Sequence, residues 1–472
     1  MIRKTKLEFI APYLKDASNF SGGSAEEVII PESSEELADF LKNETRPITI
    51  AGAGTGLTAS RIPSGGIIVS LERLNDICQR GQDKIQVGPA VTLNELQKFL
   101  APTEWFYPPN PTETWASLGG NLATNASGSR SYKYGVTRDY VEEIEMILVD
   151  GRKTSLKRGL KISEPLTFTD GSEIKFPDIK YQSPICKNAA GYFVQPGMDW
   201  LDLFIGSDGT LAIFTDIILR VVARPNDFVS GVLFFEEEHS CWELIPKIKS
   251  KDHQYIDPCS LEYFDHNALK RLKTKYKNIP DYSQAGLYFE QNVGKKDDYD
   301  LILENWYEFL NAENIILEDS WFAQGPKDVQ MFQDFRHDLP VLINEENSRA
   351  GRVKLGTDMA VPDEYFLPMM QFYRQTLNNS NVDHIVFGHL GDNHLHINLL
   401  PEKSQKDKAK IIYDTFVNQI LLWGGTISAE HGIGKLKKEY FAKMVGPNGL
   451  KELYKIKHCL DPQNRLGVGN IL

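Results

Sequence analysis

The segment from residue 107 to 140 constrains the fold of this chain more than any other stretch. It is dense in Pro, Gly, Asn, Ser and Thr, and it includes the run from Ser117 to Gly128. Such a composition is too polar for a core, so we predict a long loop without regular structure. A loop of that length within a compact domain is usually functional. Its N–H, hydroxyl and amide groups would suit one extended polar ligand.

Two more glycine-rich loops lie in the first half of the chain. One, Ala51 to Gly56, follows a predicted strand at residues 47–50, and the other runs from Gly206 to Leu211. Glycine lets the backbone approach a phosphate closely and present N–H groups to it. Three loops of this kind in one half predict a large cofactor that contains phosphate.

The first of these loops also admits a Rossmann interpretation. The register Gly54-x-Gly56-x-x-Ala59 fits the dinucleotide fingerprint. That fingerprint must open a helix, whereas residues 60–66 are typical of a loop. No Gly-Lys-Ser/Thr follows, so a Walker A loop is excluded as well. A plain tight turn is the simplest alternative for this loop taken alone.

Local patterns predict short strands and capped helices around these loops. Ser33 with Glu36 and Thr92 with Glu95 have the spacing of a capping box. Residues 143–149 followed by Asp150-Gly151 predict a hairpin with a type I′ turn. Residues 211–223 predict a strand, and residues 224–226 a boundary. The second half predicts strands at 232–235 and 385–389 and helices at 298–310 and 407–422.

Length and charge exclude several classes of protein. The chain has 472 residues, more than one core usually serves, so we expect two or more domains. Its formal net charge of −12 argues against nucleic-acid binding. No apolar run could span a bilayer, and residues 1–15 lack a signal-peptide core, so a cytoplasmic protein is expected. The five cysteines are scattered without a C-x-x-C, which disfavours a disulfide framework or an iron–sulfur cluster.

All ten histidines lie at or after His239, which assigns any histidine chemistry to the second half. His389, His394 and His396 lie close together after a predicted strand. In an alternating strand His396 and Asn398 share one face, and His394 joins them only if the strand begins before Leu395. Further on, Glu430 and His431 are adjacent among small residues. Two imidazoles and a carboxylate form a common divalent metal site.

Taken together, these motifs resemble the FAD-linked oxidases of the vanillyl-alcohol oxidase/PCMH superfamily. The branch that the chain resembles contains D-lactate dehydrogenase, D-2-hydroxyglutarate dehydrogenase and the FAD subunit of glycolate oxidase. The matching stretches are residues 51–57, 108–128, 133–139, 190–192 and 206–211. The resemblance implies an α+β fold, with a PCMH-type FAD-binding domain of two subdomains at 1–223. An α+β substrate domain with an antiparallel sheet at 224–425 would follow, and residues 426–472 would complete the active site and pack back towards the FAD domain.

The resemblance also implies which residues bind FAD. The first loop would hold the pyrophosphate, and the later loops would hold the ribityl chain and the isoalloxazine ring. The first 238 residues contain no histidine, so a histidyl bond to the flavin from this domain is excluded and non-covalent FAD is expected. A cysteinyl bond from Cys78 or Cys186 stays open. The implied FAD-binding residues are Ala51, Gly52, Ala53, Gly54, Thr55, Gly56, Leu57, Pro108, Ser117, Gly119, Gly120, Asn121, Thr124, Asn125, Gly128, Tyr134, Gly135, Gly206, Gly209, Thr210 and Ile213.

For the second half, the resemblance implies a metal site and a catalytic base. His389, His396 and Glu430 would hold a divalent metal, Zn²⁺ or Mn²⁺. His431 would be the base, and Asn398 would lie near the substrate. The related motif has Gly and Asn where this chain has Asn393 and His394, so whether His394 is an extra ligand stays open.

A substrate carboxylate also needs a cationic anchor. Arg336 lies in the region where relatives carry a substrate-binding arginine, and Lys354 is a second candidate. The alternative for Arg336 is a surface salt bridge with Asp334 or Asp338.

The implied reaction is oxidation of a D-2-hydroxy acid of the D-lactate, glycolate or D-2-hydroxyglutarate class to the 2-oxo acid. Hydride would pass to the flavin, and electrons would leave to an external quinone, cytochrome, electron-transfer flavoprotein or iron–sulfur subunit. Two alternatives stay open: a non-redox flavoprotein like alkyl-dihydroxyacetonephosphate synthase, and a flavin-bearing electron-relay subunit. A D-amino acid or a sugar lactone is also conceivable as substrate. A homodimer and a peripheral position at the inner membrane are compatible with the resemblance.

Overall fold

The computed structural model describes residues 1–250, 255–295 and 297–472. Among them, no helix combines the length and apolarity needed to cross a lipid bilayer. The helices are α1 (Leu7–Ile10), α2 (Ser34–Asn43), α3 (Leu93–Leu100), α4 (Leu118–Thr124), α5 (Ser131–Tyr134), α6 (Trp200–Phe204), α7 (Glu238–Lys249), α8 (His266–Leu272), α9 (Tyr299–Ala312), α10 (Pro326–Ala350), α11 (Phe366–Asn378), α12 (Lys406–Leu422) and α13 (Lys438–Leu460). The last of these is interrupted at Gly446, where φ is +68°.

The strands form separate sheets in the two halves of the chain. They are β1 (Ile2–Lys4), β2 (Glu27–Ile30), β3 (Ile48–Ala51), β4 (Ile67–Ser70), β5 (Ile77–Gln79), β6 (Lys84–Val87), β7 (Trp105–Phe106), β8 (Val141–Ile147), β9 (Lys153–Lys157), β10 (Leu166–Thr167), β11 (Glu173–Ile174), β12 (Ile213–Arg220), β13 (Val222–Ala223), β14 (Asp227–Phe235), β15 (Ser260–Asp265), β16 (Ala285–Val293), β17 (Trp321–Phe322), β18 (Leu355–Gly356), β19 (Met359–Ala360), β20 (His384–His389) and β21 (His394–Leu399).

The first sheet has the order β1-β2-β4-β3. Its strands β2, β4 and β3 run parallel, and β4 is buried along its whole length, as is usual for a parallel strand covered on both faces. The helix α2 begins after Ser33, whose hydroxyl accepts the N–H of Glu36. The carboxylate of Glu36 accepts the N–H of Glu32 rather than that of Ser33, so only half of the predicted capping box forms.

The second sheet is antiparallel, with the order β5-β6-β12-β8-β9. Before helix α3, the predicted capping box is complete, because Thr92 and Glu95 exchange both bonds. The predicted hairpin β8–β9 forms, but the type I′ turn is wrong. That turn needs positive φ at two successive residues. Gly151 has φ +87°, whereas Asp150 does not lie in the left-handed region.

The third sheet lies in the second half and has the order β17-β14-β16-β15-β20-β21-β18, with β19 also pairing to β21. Its named pairings are antiparallel, as expected for this half. Strand β20 ends at His389, and β21 begins at His394 directly opposite it. The sheet therefore places the histidine-rich turn at one end of two neighbouring strands.

The segment from residue 107 to 140 does not form the structureless loop that its composition predicts. It contains α4, α5 and a 3₁₀ turn at Thr137–Tyr140. Helix α4 forms despite its glycines because Ser117 caps its first turn and Asn125, in the left-handed region, ends it. Arg138 then holds the next loop by donating to the carbonyls of Asp202 and Ile205. Short capped helices thus fix this segment, although its sequence is typical of a loop.

The C-terminal residues return to the first sheet. The N–H of Ile48 donates to the carbonyl of Arg465, and the N–H of Gly467 donates to the carbonyl of Ile48. Lys457, with its side chain almost fully buried, donates to the carbonyls of Thr210 and Leu466 and pairs with Asp461. One apolar cluster also runs through both halves, since it includes Ile144 and Leu219 as well as Leu287 and Leu395. These contacts hold the two halves together around the cavity between them.

Candidate active site

A cavity of about 1900 Å³ lies between the glycine-rich loops and the histidines. Sites for drug-sized ligands usually span roughly 300–1,000 Å³, so this one has room for a large cofactor and a small substrate. Its wall brings together the first glycine loop, the start of α4, the third loop, and the side chains of β20 and β21. The glycine-rich loops and the histidines, which are far apart in sequence, thus face one space.

The first glycine loop forms one wall of the cavity over its whole predicted length, from Ala51 to Leu57. In the described part of the chain, the N–H groups of residues 53 to 56 have no hydrogen-bond acceptor. The guanidinium of Arg61 lies against Gly54, so closely that a Cβ there would overlap it. Free N–H groups beside an arginine form a cradle for an anion such as a pyrophosphate.

The second and third loops supply more of the lining. The predicted residues that reach the cavity from them are Ser117, Gly119, Gly120, Asn121, Thr124, Gly209 and Ile213. Gly52 and Gly120 both lie against the hydroxyl of Ser117, where a Cβ would approach it to 3.0 Å or less. The first two loops are therefore packed against each other at their glycines. This polar wall fits the FAD that the family resemblance implies.

Other predicted FAD-binding residues lie outside the cavity lining, within or next to the same loops. They are Pro108, Asn125, Gly128, Tyr134, Gly135, Gly206 and Thr210. Asn125 accepts the N–H of Arg138, and Thr210 bonds Tyr192. Gly128, at φ +95°, lies so close to the carbonyl of Asn110 that a Cβ would overlap it. The structure thus gives Asn125, Thr210 and Gly128 a role in loop conformation, while direct contact of all seven residues with the cofactor stays a prediction.

His389 is held by a buried carboxylate that the sequence analysis missed. Its Nδ1 lies 2.7 Å from Oε1 of Glu262, and both side chains are almost fully buried. Glu262 keeps its charge, because Arg336 and His389 together lower its pKa well below the usual range despite its burial. The bond to this carboxylate places the proton on Nδ1 and leaves Nε2 free to bind a metal.

Glu430 faces His389 from the loop that follows β21 and α12. Its Oε1 accepts from the hydroxyl of Ser127 at 2.7 Å, the N–H of Gly128 at 3.0 Å and the ammonium of Lys187 at 2.6 Å. The same oxygen lies 3.4 Å from Nε2 of His389. Although burial opposes it, Lys187 and His389 hold the pKa of Glu430 well below its ordinary value. The other oxygen of Glu430 is left for a cation.

The residues at the ends of β20 and β21 fit a divalent metal. One ligand atom each from His389, His394, His396 and Glu430 lies within 4.8 Å of all the others. The Nδ1 of His396 lies 3.3 Å from the carbonyl of Thr357, so its Nε2 is free in the same way as that of His389. Imidazoles with one nitrogen tied to an acceptor and the other open are the usual pattern at protein metal sites.

Strand β21 begins at His394, which meets the condition for His394 to share the face of His396. The two rings lie 4.6 Å apart between centroids. Asn398 follows on the same face and lines the cavity. The alternation expected for this strand is thus present, and it brings all three side chains to the site.

His431 lies beside this group and is positioned by Asp358, a second carboxylate that the sequence analysis missed. Oδ2 of Asp358 lies 3.3 Å from Nδ1 of His431 and accepts the backbone N–H of the same residue at 3.0 Å. Asp358 also pairs with Lys437 at 2.8 Å. Burial lowers the pKa of His431 to about 4, although Asp358 opposes that shift. The imidazole is therefore neutral near pH 7 and able to accept a proton.

The loop that carries His431 is tied to the third glycine loop. Asp208 accepts the N–H groups of Ile433 at 2.7 Å and Gly434 at 2.9 Å. The hydroxyl of Thr58, next to the first glycine loop, donates to the carbonyl of His431. Residues of the first half therefore hold the backbone around His431 in place.

Arg336 lines the cavity, and its partner is Glu262 rather than Asp334 or Asp338. Its Nε donates to Oε2 of Glu262 at 2.8 Å, and the side chain is only 10% exposed. Asp338 pairs with Lys275 instead, so the surface salt bridge with Asp334 or Asp338 is not what holds Arg336. Lys354 also lines the cavity, where its ammonium donates to Asn344 at 2.8 Å. Both cationic candidates reach the same space.

Glu262, Asp358 and Lys187 extend the predicted site. Glu262 carried a signal, because a lone charge within the apolar strand Leu261-Glu262-Tyr263-Phe264 must find a buried partner. Asp358 and Lys187 stand among small polar residues and gave no such pattern. In pairs, Arg336 balances Glu262 and Lys437 balances Asp358, while Lys187 contacts both Asp392 and Glu430. These pairs contain four carboxylates and three cations.

Comparisons with known proteins bear on this site. Residues 224–471 match the family described as FAD linked oxidases, C-terminal domain. Residues 25–157 match the family described as FAD binding domain. A D-lactate dehydrogenase of Anaerostipes hadrus is 27% identical over 97% of this chain and 92% of its own length. The glycolate oxidase subunit GlcD of Bacillus subtilis (strain 168) is 26% identical over 97% and 91%.

Solved structures share the fold. An alkyldihydroxyacetonephosphate synthase superposes with a TM-score of 0.70 at 15% identity, covering 98% of this chain and 81% of that chain. At this identity the likeness concerns the fold alone. The predicted α+β class with a PCMH-type FAD-binding domain and antiparallel sheets is confirmed.

Proposed function

This chain belongs to the family of FAD-linked oxidases, and on that premise we propose that it oxidises a small D-2-hydroxy acid to the 2-oxo acid. FAD would be bound non-covalently along the glycine wall. A divalent metal would be held by His389, His396 and Glu430. The relatives named for D-lactate and glycolate support a short hydroxy acid as the substrate class.

One observation carries this proposal. A single cavity contains the glycine wall, the metal-compatible cluster, the neutral imidazole of His431 and the guanidinium of Arg336. A 2-hydroxy acid offers a carboxylate, a hydroxyl and a C2–H bond, and each has a complementary group here. When bound, the flavin would accept the hydride from C2 and the divalent ion would polarise the substrate oxygens.

Arg336 would bind the substrate carboxylate. Its Nε is engaged by Glu262, which fixes the plane of the guanidinium. Nη1 makes one long bond of 3.4 Å to the hydroxyl of Thr112, and Nη2 has no partner among the described residues. A guanidinium recognises a carboxylate with two parallel N–H bonds, which fixes orientation as well as position. Glu262 holds His389 at the same time, so one carboxylate aligns the anchor with the metal ligand.

His431 would take the proton of the substrate hydroxyl. Its ring stacks on that of His396, at 5.5 Å between centroids, so it lies next to the position where the hydroxyl would bind. Asp358, 3.3 Å from Nδ1 of the ring, would stabilise the imidazolium that forms. Proton transfer to an imidazole and loss of C2–H with its electron pair together yield the 2-oxo acid.

Turnover further requires an external electron acceptor. A quinone, a cytochrome, an electron-transfer flavoprotein and an iron–sulfur subunit are the candidate classes. No contact in the described part of the chain favours one of them over the others.

Steady-state turnover tests the reaction class. The purified FAD protein is assayed with an artificial electron acceptor against matched D- and L-enantiomers of short 2-hydroxy acids and against D-amino acids. We expect turnover with a D-2-hydroxy acid and at least tenfold less with its L-enantiomer. Turnover of D-amino acids alone, or of no acid in the panel, would contradict the proposal.

Replacing Arg336 with glutamine is expected to lower kcat/KM for the preferred acid by about 10- to 100-fold, mostly through KM. The reason is that a charged hydrogen-bond pair is worth roughly 1.5–3 kcal/mol. Lys354→Gln is the matched comparison, because Lys354 is the other cationic candidate on the cavity wall. A larger loss in K354Q than in R336Q would move the carboxylate anchor to Lys354.

A further inference from the structure

We propose that His394 is a fourth protein ligand of the metal, so that the centre consists of three imidazoles and one carboxylate. This inference rests on the proposed function, because it requires a divalent ion at His389, His396 and Glu430. It concerns a side chain for which the proposed reaction supplies no other role.

The position of His394 is fixed from two sides. It begins β21 directly opposite the end of β20, and its ring lies 5.1 Å from that of His389 between centroids. The side chain has no solvent exposure. Its Nε2 lies 2.9 Å from Oδ1 of Asp358. Asp358 is an acceptor for several donors, so the proton of His394 belongs on Nε2.

The other ring nitrogen of His394 is Nδ1. This atom is buried and has no hydrogen-bond partner within the described residues. Burying an imidazole whose proton is bonded to a carboxylate costs free energy if the lone pair on its other nitrogen has no partner. A metal ion is one partner that can bind that lone pair. Glu262 holds His389 in the corresponding way. Two of the histidines thus each have one nitrogen bonded to a carboxylate.

The distances permit all four residues to bind one ion. One donor atom from each of His389, His394, His396 and Glu430 lies within 4.8 Å of the rest. Donors bound at about 2.0–2.2 Å lie at most about 4.4 Å apart across an ion. Opposite donors need to move only a few tenths of an ångström, whereas adjacent donors, which lie about 3 Å apart on a six-coordinate ion, close in further when the ion binds.

A fourth ligand limits which metal can work. Four protein donors leave two positions on a six-coordinate ion, which suits a hydroxyl and one carboxylate oxygen of the same substrate. A tetrahedral Zn²⁺ would be closed by the same four donors. A set of three imidazoles and a carboxylate with two open positions favours Mn²⁺, Fe²⁺ or Co²⁺.

Cobalt substitution tests the proposal without reference to turnover. The FAD protein is depleted of metal and titrated with Co²⁺, and solvent-exchangeable, hyperfine-shifted imidazole N–H protons are counted by ¹H NMR. We expect three such signals in the wild-type protein, from N–H groups bonded to Glu262, Thr357 and Asp358. The wild-type count needs no variant, so it stands even where a substitution disturbs folding.

His394→Asn is the test variant, and His384→Asn is its matched control. His384 is buried on β20 and bonds the carbonyl of Val382, but it lies outside the cluster. We expect H394N to show two shifted N–H signals and about tenfold or more weaker Co²⁺ binding, and H384N to retain three. FAD content and circular dichroism establish that each variant is folded.

The possible failures are distinguishable. Two signals in the wild-type protein, or three in a folded H394N, would overturn the role of His394 while the metal site itself stands. Absence of stoichiometric Co²⁺ binding to the wild-type protein would contradict the metal in the proposed function, and the inference would fail with it.

Discussion

Replacing His431 with alanine is expected to lower kcat for the preferred D-2-hydroxy acid by about 10²- to 10⁴-fold, the usual contribution of a positioned general base. The imidazole is neutral, lies on the cavity wall and is oriented by Asp358. FAD content and metal content are expected to stay at the wild-type level. The measurement is stopped-flow reduction of the flavin under anaerobic conditions, with metal analysis of the same samples.

Two outcomes would contradict this role for His431. Asp358, His396 and His431 could also hold an ion between them, so loss of metal in H431A would identify His431 as a ligand. A rate within threefold of wild type, with metal retained, would remove His431 from the proton transfer. His266→Ala is the control, because His266 lies outside the cavity and bonds the carbonyl of Ser283. Partial recovery of H431A by added imidazole would further support a base.

Replacing Asp358 with asparagine is expected to destabilise the FAD-bound protein by about 3–5 kcal/mol, the usual cost of removing one partner of a buried ion pair. Its side chain is 1% exposed and binds Lys437, His394 and the backbone around Glu430. Asparagine would leave Lys437 without its counter-charge. Urea unfolding followed by flavin and tryptophan fluorescence gives the free energy.

The control for Asp358 is Asp338→Asn. Asp338 pairs with Lys275, whose side chain is 55% exposed. Exposed pairs contribute roughly 0–1 kcal/mol, so a small change is expected there. Equal losses in the two variants would show that the Asp358 network does not stabilise the site as described. D358N is also expected to lower kcat, because His431 loses the group that orients it.

Much of the architecture follows from local pattern. The strands at 28–30, 48–50 and 67–70 are apolar runs, and the helix after Thr92 has both its cap and its apolar face in sequence. Strand β21 alternates, and alternation correctly brought His396 and Asn398 to one face. Patterns with a single period of two or 3.6 residues leave few alternatives for the backbone.

Composition gave a wrong secondary-structure prediction where tertiary contacts stabilise a helix that the local sequence disfavours. Residues 118–124 form α4 although the run Leu-Gly-Gly-Asn has weak helix propensity. A cap from Ser117 and bonds from Leu118 to Val91 and from Gly119 to Pro89 compensate for that weakness. These partners are distant in sequence, so a prediction from neighbouring residues cannot include them. The turn at Asp150-Gly151 failed for the related reason that several turn types accept the same dipeptide.

The site residues also divide into those that the local sequence indicates and those that depend on tertiary contacts. Glycines, histidines and adjacent Glu430-His431 mark chemistry by residue type, and all the predicted metal, base and anchor residues line one cavity. The residues that orient them were harder to find. Asp358 and Lys187 act through contacts with residues far away in sequence, such as His431 and Glu430, and nothing local marks an acid or lysine for that purpose.

The most direct test of the central claim is anaerobic reduction of the bound flavin, followed by its visible absorbance. A short D-2-hydroxy acid and its L-enantiomer are added to the protein before metal depletion, after it, and after Mn²⁺ or Co²⁺ is restored. We expect bleaching by the D-acid alone, loss of that bleaching on depletion, and recovery when metal returns. Bleaching that is indifferent to depletion, or no bleaching by any 2-hydroxy acid, would contradict it.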